Sequence, residues 1–262
     1  MSSPPLVWRW CVAPAAVAAV LAASLRVGGY DVAALQATQR VTMGLPDTLW
    51  WLLTWLGDTQ FALALLVLLV LLALPRSTPW LTALVWAALP TTVLVHGLKW
   101  AWHAPRPLAV LGPEGVHAIG TALLRNSFPS GHTAMAFLAA GCVVLALAPP
   151  RPRWAVPLLL MAALIGLSRV AVGAHWPSDV LAGAACGWVG AGIGVWATQR
   201  WPVGTGPRAR RVFSALAMAV GVSLWWRPLE GVEHALALVL GAAAVAVGLR
   251  GWAARTPQGV GA

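Results

Sequence analysis

The segment "PSGHTAMAFLAAGCVVLALA", residues 129–148, joins a polar, flexible start to an apolar run of a length suited to a membrane helix. In the whole chain of 262 residues, 60% are hydrophobic and 9% are charged, whereas a soluble globular domain carries about 25% charged residues. The chain is therefore predicted to lie in a bilayer. A histidine at the mouth of a membrane helix needs polar partners, so His132 directs attention to the ends of the neighbouring helices.

Eight apolar stretches are candidate membrane spans, since a helix needs about 20 residues to cross the hydrocarbon core. They predict an all-α, polytopic membrane protein, with a six-helix core in residues 1–198 and two further C-terminal transmembrane helices in residues 199–262. The first stretch also fits a signal peptide, but residues 1–5 carry no basic residue, which argues against cleavage. The eight stretches are 7–25, 59–75, 79–98, 131–148, 154–172, 179–198, 212–226 and 235–250.

Charged residues predict the orientation, because short cytoplasmic loops collect Lys and Arg. With the N-terminus in the cytoplasm of a multi-pass cell-membrane protein, the inner loops hold no acidic residue, and all 7 acidic residues lie outside. The net charge of +10 then follows from topology, and no nucleic-acid partner is predicted. The inward arginines are Arg9, Arg76, Arg151, Arg153, Arg200, Arg208, Arg210, Arg211, Arg250 and Arg255.

Metal and disulfide sites are not predicted. Cys11, Cys142 and Cys186 lie inside apolar stretches without paired spacing, which indicates small core residues. The sequence also lacks the clusters of carboxylates that Mg²⁺ would require. We therefore predict a protein that uses no metal or other cofactor.

Three polar segments fall on the predicted outer side of the membrane. In "KWAWHAPRP" (99–107), Lys99 and Arg106 can converge on one anion. In "PSGH" (129–132), Gly131 lets a ligand approach the backbone closely, and the free N–H groups of a helix start bind anions. The third segment, "SRVAVGAHWPSD" (168–179), follows the fifth span and leads into the sixth.

The third segment supplies Arg169, then His175 and, four residues later, Asp179. Each polar group has a simpler explanation when taken alone, such as a cation that reaches for headgroups, an interfacial histidine or a helix cap. Together, three cations, two histidines and a carboxylate at the outer ends of four consecutive spans favour one shared anion site.

The three segments resemble the motifs of the type 2 phosphatidic acid phosphatases, a membrane family that shares a superfamily with soluble acid phosphatases and vanadium haloperoxidases. That family carries Lys, six residues, Arg-Pro; then Pro-Ser-Gly-His; then Ser-Arg, five residues, His, three residues, Asp. Every position of this pattern is present, within residues 99–179. The resemblance extends over roughly residues 57–198, so residues 199–262 fall outside it.

The resemblance and the residue types together imply roles for eight residues. His175 is the expected nucleophile, Asp179 fixes its tautomer, and His132 protonates the leaving group, so a phosphohistidine intermediate is expected. His103, Arg125 and Asn126 are flanking candidates for headgroup contact, whereas His96 is expected to be a packed histidine and His117 a bystander. The phosphoryl group is expected to be held by Lys99, Arg106, Ser130, Gly131 and Arg169.

The expected activity is metal-independent dephosphorylation of a lipid phosphate or diphosphate at the outer (periplasmic or extracellular) face, with undecaprenyl diphosphate as the leading substrate. Phosphatidylglycerol phosphate and phosphatidic acid are alternatives. The same residues also suit a lipid phosphotransferase, a haloperoxidase or a binding protein, and an outer cluster of ionisable groups also suits a transporter. Lipids are the only predicted partners. The oligomeric state stays open, since the pairs Gly183 with Gly187 and Gly190 with Gly194 allow close packing within or between chains.

Overall fold

The computed structural model describes residues 6–73, 79–146, 152–201, 207–229 and 231–253. Within these ranges the chain forms eleven α-helices and no strand, which confirms the all-α prediction. The helices are α1 (Leu6–Val27), α2 (Asp31–Thr42), α3 (Asp47–Leu56), α4 (Thr59–Ala73), α5 (Pro79–Trp102), α6 (Pro107–Gly115), α7 (Gly131–Ala146), α8 (Pro152–Ala171), α9 (Pro177–Arg200), α10 (Pro207–Trp225) and α11 (Gly231–Ala253).

Each of the eight predicted spans coincides with a helix: α1, α4, α5 and α7 to α11. By length and hydropathy, three helices in the described part of the chain are long and apolar enough to cross a membrane, within α1, α9 and α11. Helices such as α4 and α7 are shorter, with 15 and 16 residues. The ends of two predicted spans, at 74–75 and 147–148, lie outside the described residues, as do the charges of Arg76, Arg151, Glu230 and Arg255.

Three helices were not among the predicted spans. Helix α2 carries many polar residues, and α3 is apolar but has only 10 residues, too few to cross a membrane alone. Helix α6 lies between the first and second motifs, and its backbone is broken at Gly112, where φ is 70°. Helices α2 and α6 flank the segments that carry the predicted motifs.

The chain forms two compact units, Met1–Asp58 with Pro79–Trp201 and Thr59–Thr78 with Pro202–Ala262. The second unit contains α4 packed against α10 and α11. The predicted core of residues 1–198 included the stretch of α4, whereas this helix belongs to the second unit with the C-terminal pair. The functional division between residues 1–198 and 199–262 stays a prediction.

Helix α9 is the centre of the first unit, where it packs against α1, α5 and α7. Its glycines permit this, because a side chain would collide with the neighbouring helices. A Cβ atom at Gly187 would lie 2.8 Å from the backbone nitrogen of Leu138 on α7, and one at Gly194 would lie 2.7 Å from the Cβ of Ala87 on α5. The two small-residue pairs of α9 thus serve packing inside this unit.

Candidate active site

All eight predicted site residues lie in the first unit, at the ends of helices or in the loops that join them. Lys99 is in the last turn of α5, and Arg106 directly precedes α6. Ser130 precedes α7, whose first two residues are Gly131 and His132. The third motif contributes Arg169 in the last turn of α8, His175 in the following loop and Asp179 in the first turn of α9.

His175 and Asp179 form the predicted pair. Nδ1 of His175 lies 3.4 Å from Oδ2 of Asp179, and both side chains are almost fully buried. The same carboxylate oxygen accepts the backbone N–H of Trp176 at 2.9 Å, as is usual for an acidic residue in the first turn of a helix. The other ring nitrogen, Nε2, is therefore the atom of His175 available for chemistry, and it lies 3.4 Å from Nη1 of Arg106.

The two cations of the first motif are anchored to consecutive carbonyl groups of one loop. Nε of Arg106 donates to the carbonyl of Arg125 at 2.8 Å, and Nζ of Lys99 donates to the carbonyl of Asn126 at 2.6 Å. Nη1 of Arg106 also donates to the carbonyl of Ala174, the residue before His175, at 2.9 Å. Arg125 and Asn126 thus hold both cations through their backbone carbonyls, and the convergence of Lys99 and Arg106 on one anion stays a prediction.

The backbone of Asn126 has a left-handed conformation with φ of 55°, which asparagine tolerates better than most residues. The loop is tied at two further points, since the N–H of Arg106 donates to the carbonyl of Leu124 at 3.0 Å and the N–H of Ser127 donates to that of Ala104 at 2.9 Å. The segment that follows α5 and the segment that precedes "PSGH" therefore hold each other in place.

Ser130 is fully buried at the start of α7. Its Oγ lies 3.4 Å from the N–H of Thr133 and 3.0 Å from the hydroxyl of Thr133, as in a helix N-cap. Its backbone N–H donates to the carbonyl of Asp179 at 2.9 Å, which joins the start of α7 to the first turn of α9. Its predicted contact with a phosphate stays a prediction.

Arg169 is buried, and its guanidinium group is only partly satisfied. Nη1 donates to the hydroxyl of Thr54 on α3, whereas Nε has no hydrogen-bond partner in the described part of the chain. A buried N–H without an acceptor is costly, so a ligand that carries oxygen atoms would be favoured here. The carbonyl of Arg169 accepts the N–H groups of Ala174 and His175, both at 3.1 Å, and so shapes the loop that carries His175.

The electrostatic environment keeps His175 neutral. Burial lowers the pKa of its imidazole well below the ordinary value, and the nearby charges of Arg106, Arg169 and Lys99 lower this pKa further. Burial also lowers the pKa of the Arg106 guanidinium. A neutral imidazole has a lone pair on one ring nitrogen, so His175 is in the protonation state that a nucleophile requires.

Ser127 is a site residue that the sequence did not predict. Its Oγ donates to Oδ2 of Asp179 at 2.5 Å and lies 3.5 Å from Nδ1 of His175, and the side chain is fully buried. Arg26 on α1 donates to the other carboxylate oxygen of Asp179, and Asp31 on α2 bonds to Ser178. Ser127, Arg26 and Asp31 do not belong to the three motifs, and only the fold brings them to the first turn of α9.

His96, His103 and His117 were not assigned to the phosphate site. His96 is exposed on α5, so the prediction that it is a packed histidine is wrong. His103 is exposed and has a positive φ of 44° at the end of α5. Nε2 of His117 lies 3.0 Å from a carboxylate oxygen of Asp47, and its role as a bystander stays a prediction. The three cysteines are free and buried, as predicted, and the described residues contain no group of three or more potential metal ligands.

Comparison with known proteins agrees with the motifs. The model of the PAP2 superfamily matches residues 80–202. This region includes all three motifs, and the match confirms the family resemblance over residues 80–202.

Two kinds of curated relative are similar to the chain. A lipid A 1-phosphatase of Rhizobium etli is 35% identical over 156 residues, which are 52% of this chain and 64% of that protein. An undecaprenyl-diphosphatase of Sulfolobus acidocaldarius is 44% identical over 57 residues, 22% of this chain and 26% of that protein. The chain spans less than two thirds of the length of the curated relatives it matches.

Two solved structures share the fold. The crystal structure of Aquifex aeolicus LpxE has a TM-score of 0.53 and 29% sequence identity, and the match covers 62% of this chain and 94% of that one. A transmembrane PAP2-type phosphatidylglycerolphosphate phosphatase from Bacillus subtilis has a TM-score of 0.52 and 23% identity, with coverage of 72% and 95%. The predicted all-α membrane protein is thereby confirmed.

Proposed function

We propose that the protein hydrolyses a lipid phosphate or diphosphate through a phosphohistidine formed on His175. The observation that carries the proposal is a buried, neutral imidazole that has a carboxylate behind Nδ1 and an arginine beside Nε2. A base held in this way is suited to attack phosphorus while the cation stabilises the phosphoryl oxygens. The PAP2 match and the relatives named as lipid phosphatases support the same chemistry.

The phosphoryl group binds first, between the two anchored cations and the start of α7. Lys99 and Arg106 keep donors free beyond those held by the loop carbonyls, because an ammonium has three N–H groups and a guanidinium has five. Arg169 adds the N–H of Nε, which has no partner in the described residues. The N–H of Gly131 and the hydroxyl of Ser130 are the further proposed donors, at a helix N-terminus that favours anions.

In the first chemical step, Nε2 of His175 attacks phosphorus and the P–O bond to the lipid breaks. The departing oxygen takes a proton from His132, and Asp179 stabilises the positive charge that develops on the imidazole of His175. In the second step, His132 accepts a proton from water, the water oxygen attacks phosphorus, and the P–N bond breaks. Inorganic phosphate leaves and both histidines return to their starting states. We propose that no metal takes part, since the cations and N–H donors already stabilise the charge of the phosphoryl group.

The substrate is proposed to enter from the outer leaflet, with the N-terminus of the chain in the cytoplasm. Undecaprenyl diphosphate is the substrate that we favour from the predicted topology, and a relative named undecaprenyl-diphosphatase supports it. Lipid A 1-phosphate is a second candidate because other relatives are named lipid A 1-phosphatase. Phosphatidylglycerol phosphate and phosphatidic acid complete the set to be tested.

The test is phosphate release by the full chain in detergent, with each of these four lipids offered separately in the presence of EDTA. We expect one lipid to be hydrolysed in EDTA, and His175→Ala to release no phosphate above background. His96→Ala is the matched control, since this histidine is exposed on α5, and it should retain wild-type activity. Measurement of inorganic phosphate, together with the lipid product, distinguishes hydrolysis from transfer to another acceptor.

The wild-type protein is mixed with ³²P-labelled substrate and the reaction is stopped rapidly without acid. The protein should then carry label, and treatment with acid should remove this label, as expected of a phosphohistidine. Activity that survives in His175→Ala would refute the nucleophile assignment. Hydrolysis that stops in EDTA and returns with Mg²⁺ would refute the metal-free mechanism.

A further inference from the structure

The turn between α1 and α2 places two charged residues against the first turn of α9. Helix α1 ends at Val27 and α2 begins at Asp31, and the connection reverses the chain at Gly29, where φ is 71°. The N–H of Tyr30 donates to the carbonyl of Leu25 at 2.9 Å, which closes the end of α1. Arg26 and Asp31 therefore stand on the two sides of a short, defined turn, and we call this pair the N-terminal clamp.

Arg26 contacts Asp179 from the side opposite to the histidine. Its Nη1 donates to Oδ1 at 3.2 Å, whereas the bonds to His175, Ser127 and the backbone of Trp176 all involve Oδ2. The carboxylate is fully buried and the arginine side chain is 29% exposed, so the pair is screened only in part. Because each oxygen accepts a hydrogen bond, the rotation of the carboxylate about the Cβ–Cγ bond is fixed.

A second contact holds the guanidinium of Arg26 in place. Its central carbon lies 4.8 Å from the centre of the Phe128 ring, a cation–π arrangement. Phe128 follows Ser127, which bonds to the other oxygen of the same carboxylate. The loop before α7 and the end of α1 therefore hold Asp179 jointly.

Asp31 fixes the backbone on which Asp179 stands. Its Oδ1 accepts the N–H of Ser178 at 2.9 Å, and its Oδ2 accepts the hydroxyl of Ser178 at 2.5 Å. The N–H groups of a first helical turn have no partners within their own helix, so an aspartate from another helix acts here as a cap. A shift of this turn would move Asp179 relative to His175, whose separation of 3.4 Å is already long for a hydrogen bond.

We propose that Arg26 and Asp31 are positioning residues for the His175–Asp179 pair, and that the N-terminal clamp sets the rate of the chemical step without touching the substrate. The inference rests on the proposed function, because it assigns a role in that reaction. Both residues lie outside residues 80–202, the region that matches the PAP2 superfamily. The clamp is thus a contribution of the N-terminal helices to a site whose motifs lie elsewhere.

The experiment measures kcat and KM for Arg26→Gln and Arg26→Lys, each made in the wild type and in Asp179→Asn. In the wild type, we expect Arg26→Gln to lower kcat by about 10- to 100-fold, with little change in KM. Losses of this size are typical when a residue that orients a functional histidine indirectly is removed, as in metal sites. Arg26→Lys should recover part of kcat, since it keeps the charge. In Asp179→Asn, Arg26→Gln should change kcat by less than about twofold, because the carboxylate charge through which Arg26 acts is gone.

Arg9→Gln is the control for loss of an arginine from α1, as Arg9 is exposed on the same helix, and it should behave as wild type. If Arg26→Gln does not fold, Asp31→Asn replaces it, since asparagine keeps one oxygen for the N–H of Ser178. This variant should fold and lower kcat, again with little change in KM.

The outcomes separate the two proposals. An active wild type whose Arg26→Gln variant keeps kcat within about twofold would overturn the clamp alone. An equal loss in the wild type and in Asp179→Asn would also overturn it, because the effect would then be a general structural one. A wild type that hydrolyses none of the four lipids would overturn the proposed function and the clamp together.

Discussion

Ser127→Ala tests most directly how the surroundings of the His175–Asp179 pair affect the reaction. The substitution removes one hydroxyl group that donates to Oδ2 of Asp179 at 2.5 Å and lies 3.5 Å from Nδ1 of His175. The backbone bond from Ser127 to the carbonyl of Ala104 does not depend on the side chain, so the loop is expected to keep its course. The variant should therefore isolate the contribution of the hydroxyl.

The size of the effect follows from the kind of bond that is lost. A hydrogen bond to a charged group contributes about 1.5–3 kcal/mol, and the carboxylate at Asp179 is fully buried, so water does not replace the missing donor. If this energy is lost from the transition state, in which the imidazole of His175 becomes positive, kcat falls by about 10- to 150-fold. KM should change little, because Ser127 bonds to Asp179 and is not among the proposed phosphate donors.

Ser168→Ala is the matched control. Ser168 is fully buried and belongs to the third motif, but its Oγ donates to the carbonyl of Ile165 within α8 at 2.7 Å. This is a local bond of the kind that serines in helices often make, so its loss should leave kcat within about twofold. Steady-state phosphate release by both variants, with thermal unfolding to show that they fold, makes the comparison. A larger loss of kcat in Ser168→Ala than in Ser127→Ala would refute the reasoning.

Two further predictions concern helix packing and pH. Gly183→Ala adds a Cβ that would overlap the carbonyl oxygen of Ser130 and lie 3.1 Å from the Cβ of Thr133, so the start of α7 must move away from α9. We expect destabilisation by about 1–3 kcal/mol, measured by thermal unfolding, whereas Gly97→Ala on α5, which meets open space, should not destabilise. Because the pKa of His175 is lowered, its imidazole stays neutral as the pH falls through about 6.5, so kcat/KM should begin to fall only below that pH. Arg106→Gln removes a cation that lowers this pKa, so its kcat/KM should begin to fall at a higher pH than that of the wild type. A wild-type kcat/KM that already falls above pH 6.5 would contradict the assignment of His175 as the nucleophile.

The sequence predicted the helices that are long and apolar, and it missed those that are short or polar. Runs such as 79–98 and 179–198 coincide with α5 and α9, because continuous apolar residues identify a membrane helix with little regard to context. Helix α2, with its polar residues, gave no such signal, and its Gln39 is buried where it bonds to the backbone at His117 and Val170. The role of α2 depends on contacts with residues more than 70 positions away in the chain, and a local sequence pattern carries no information about such contacts.

The same limit applies to the candidate site. Spacing within a motif placed His175 and Asp179 four residues apart across a helix start, and that is enough to bring a histidine to its carboxylate. Lys99 and Arg106 were predicted to converge, but the loop carbonyls that anchor them could not be named from the motif. His96 was predicted to be packed because it lies in an apolar run, yet it lies on an exposed face of α5. A run that is apolar on all sides does not indicate which face of the helix is buried.

The motifs therefore specify which chemical groups are present, whereas their orientation depends on residues that no motif contains. Arg26 is 153 positions from Asp179, and Asp31 is 147 positions from Ser178, so the first turn of α9 is held by the N-terminal helices. A buried carboxylate needs donors on both oxygens, and a histidine at 3.4 Å from it tolerates little rotation. We therefore expect substitutions at Arg26 and Asp31 to lower activity in a chain whose three motifs are intact, so motif matches alone do not establish a fully active enzyme.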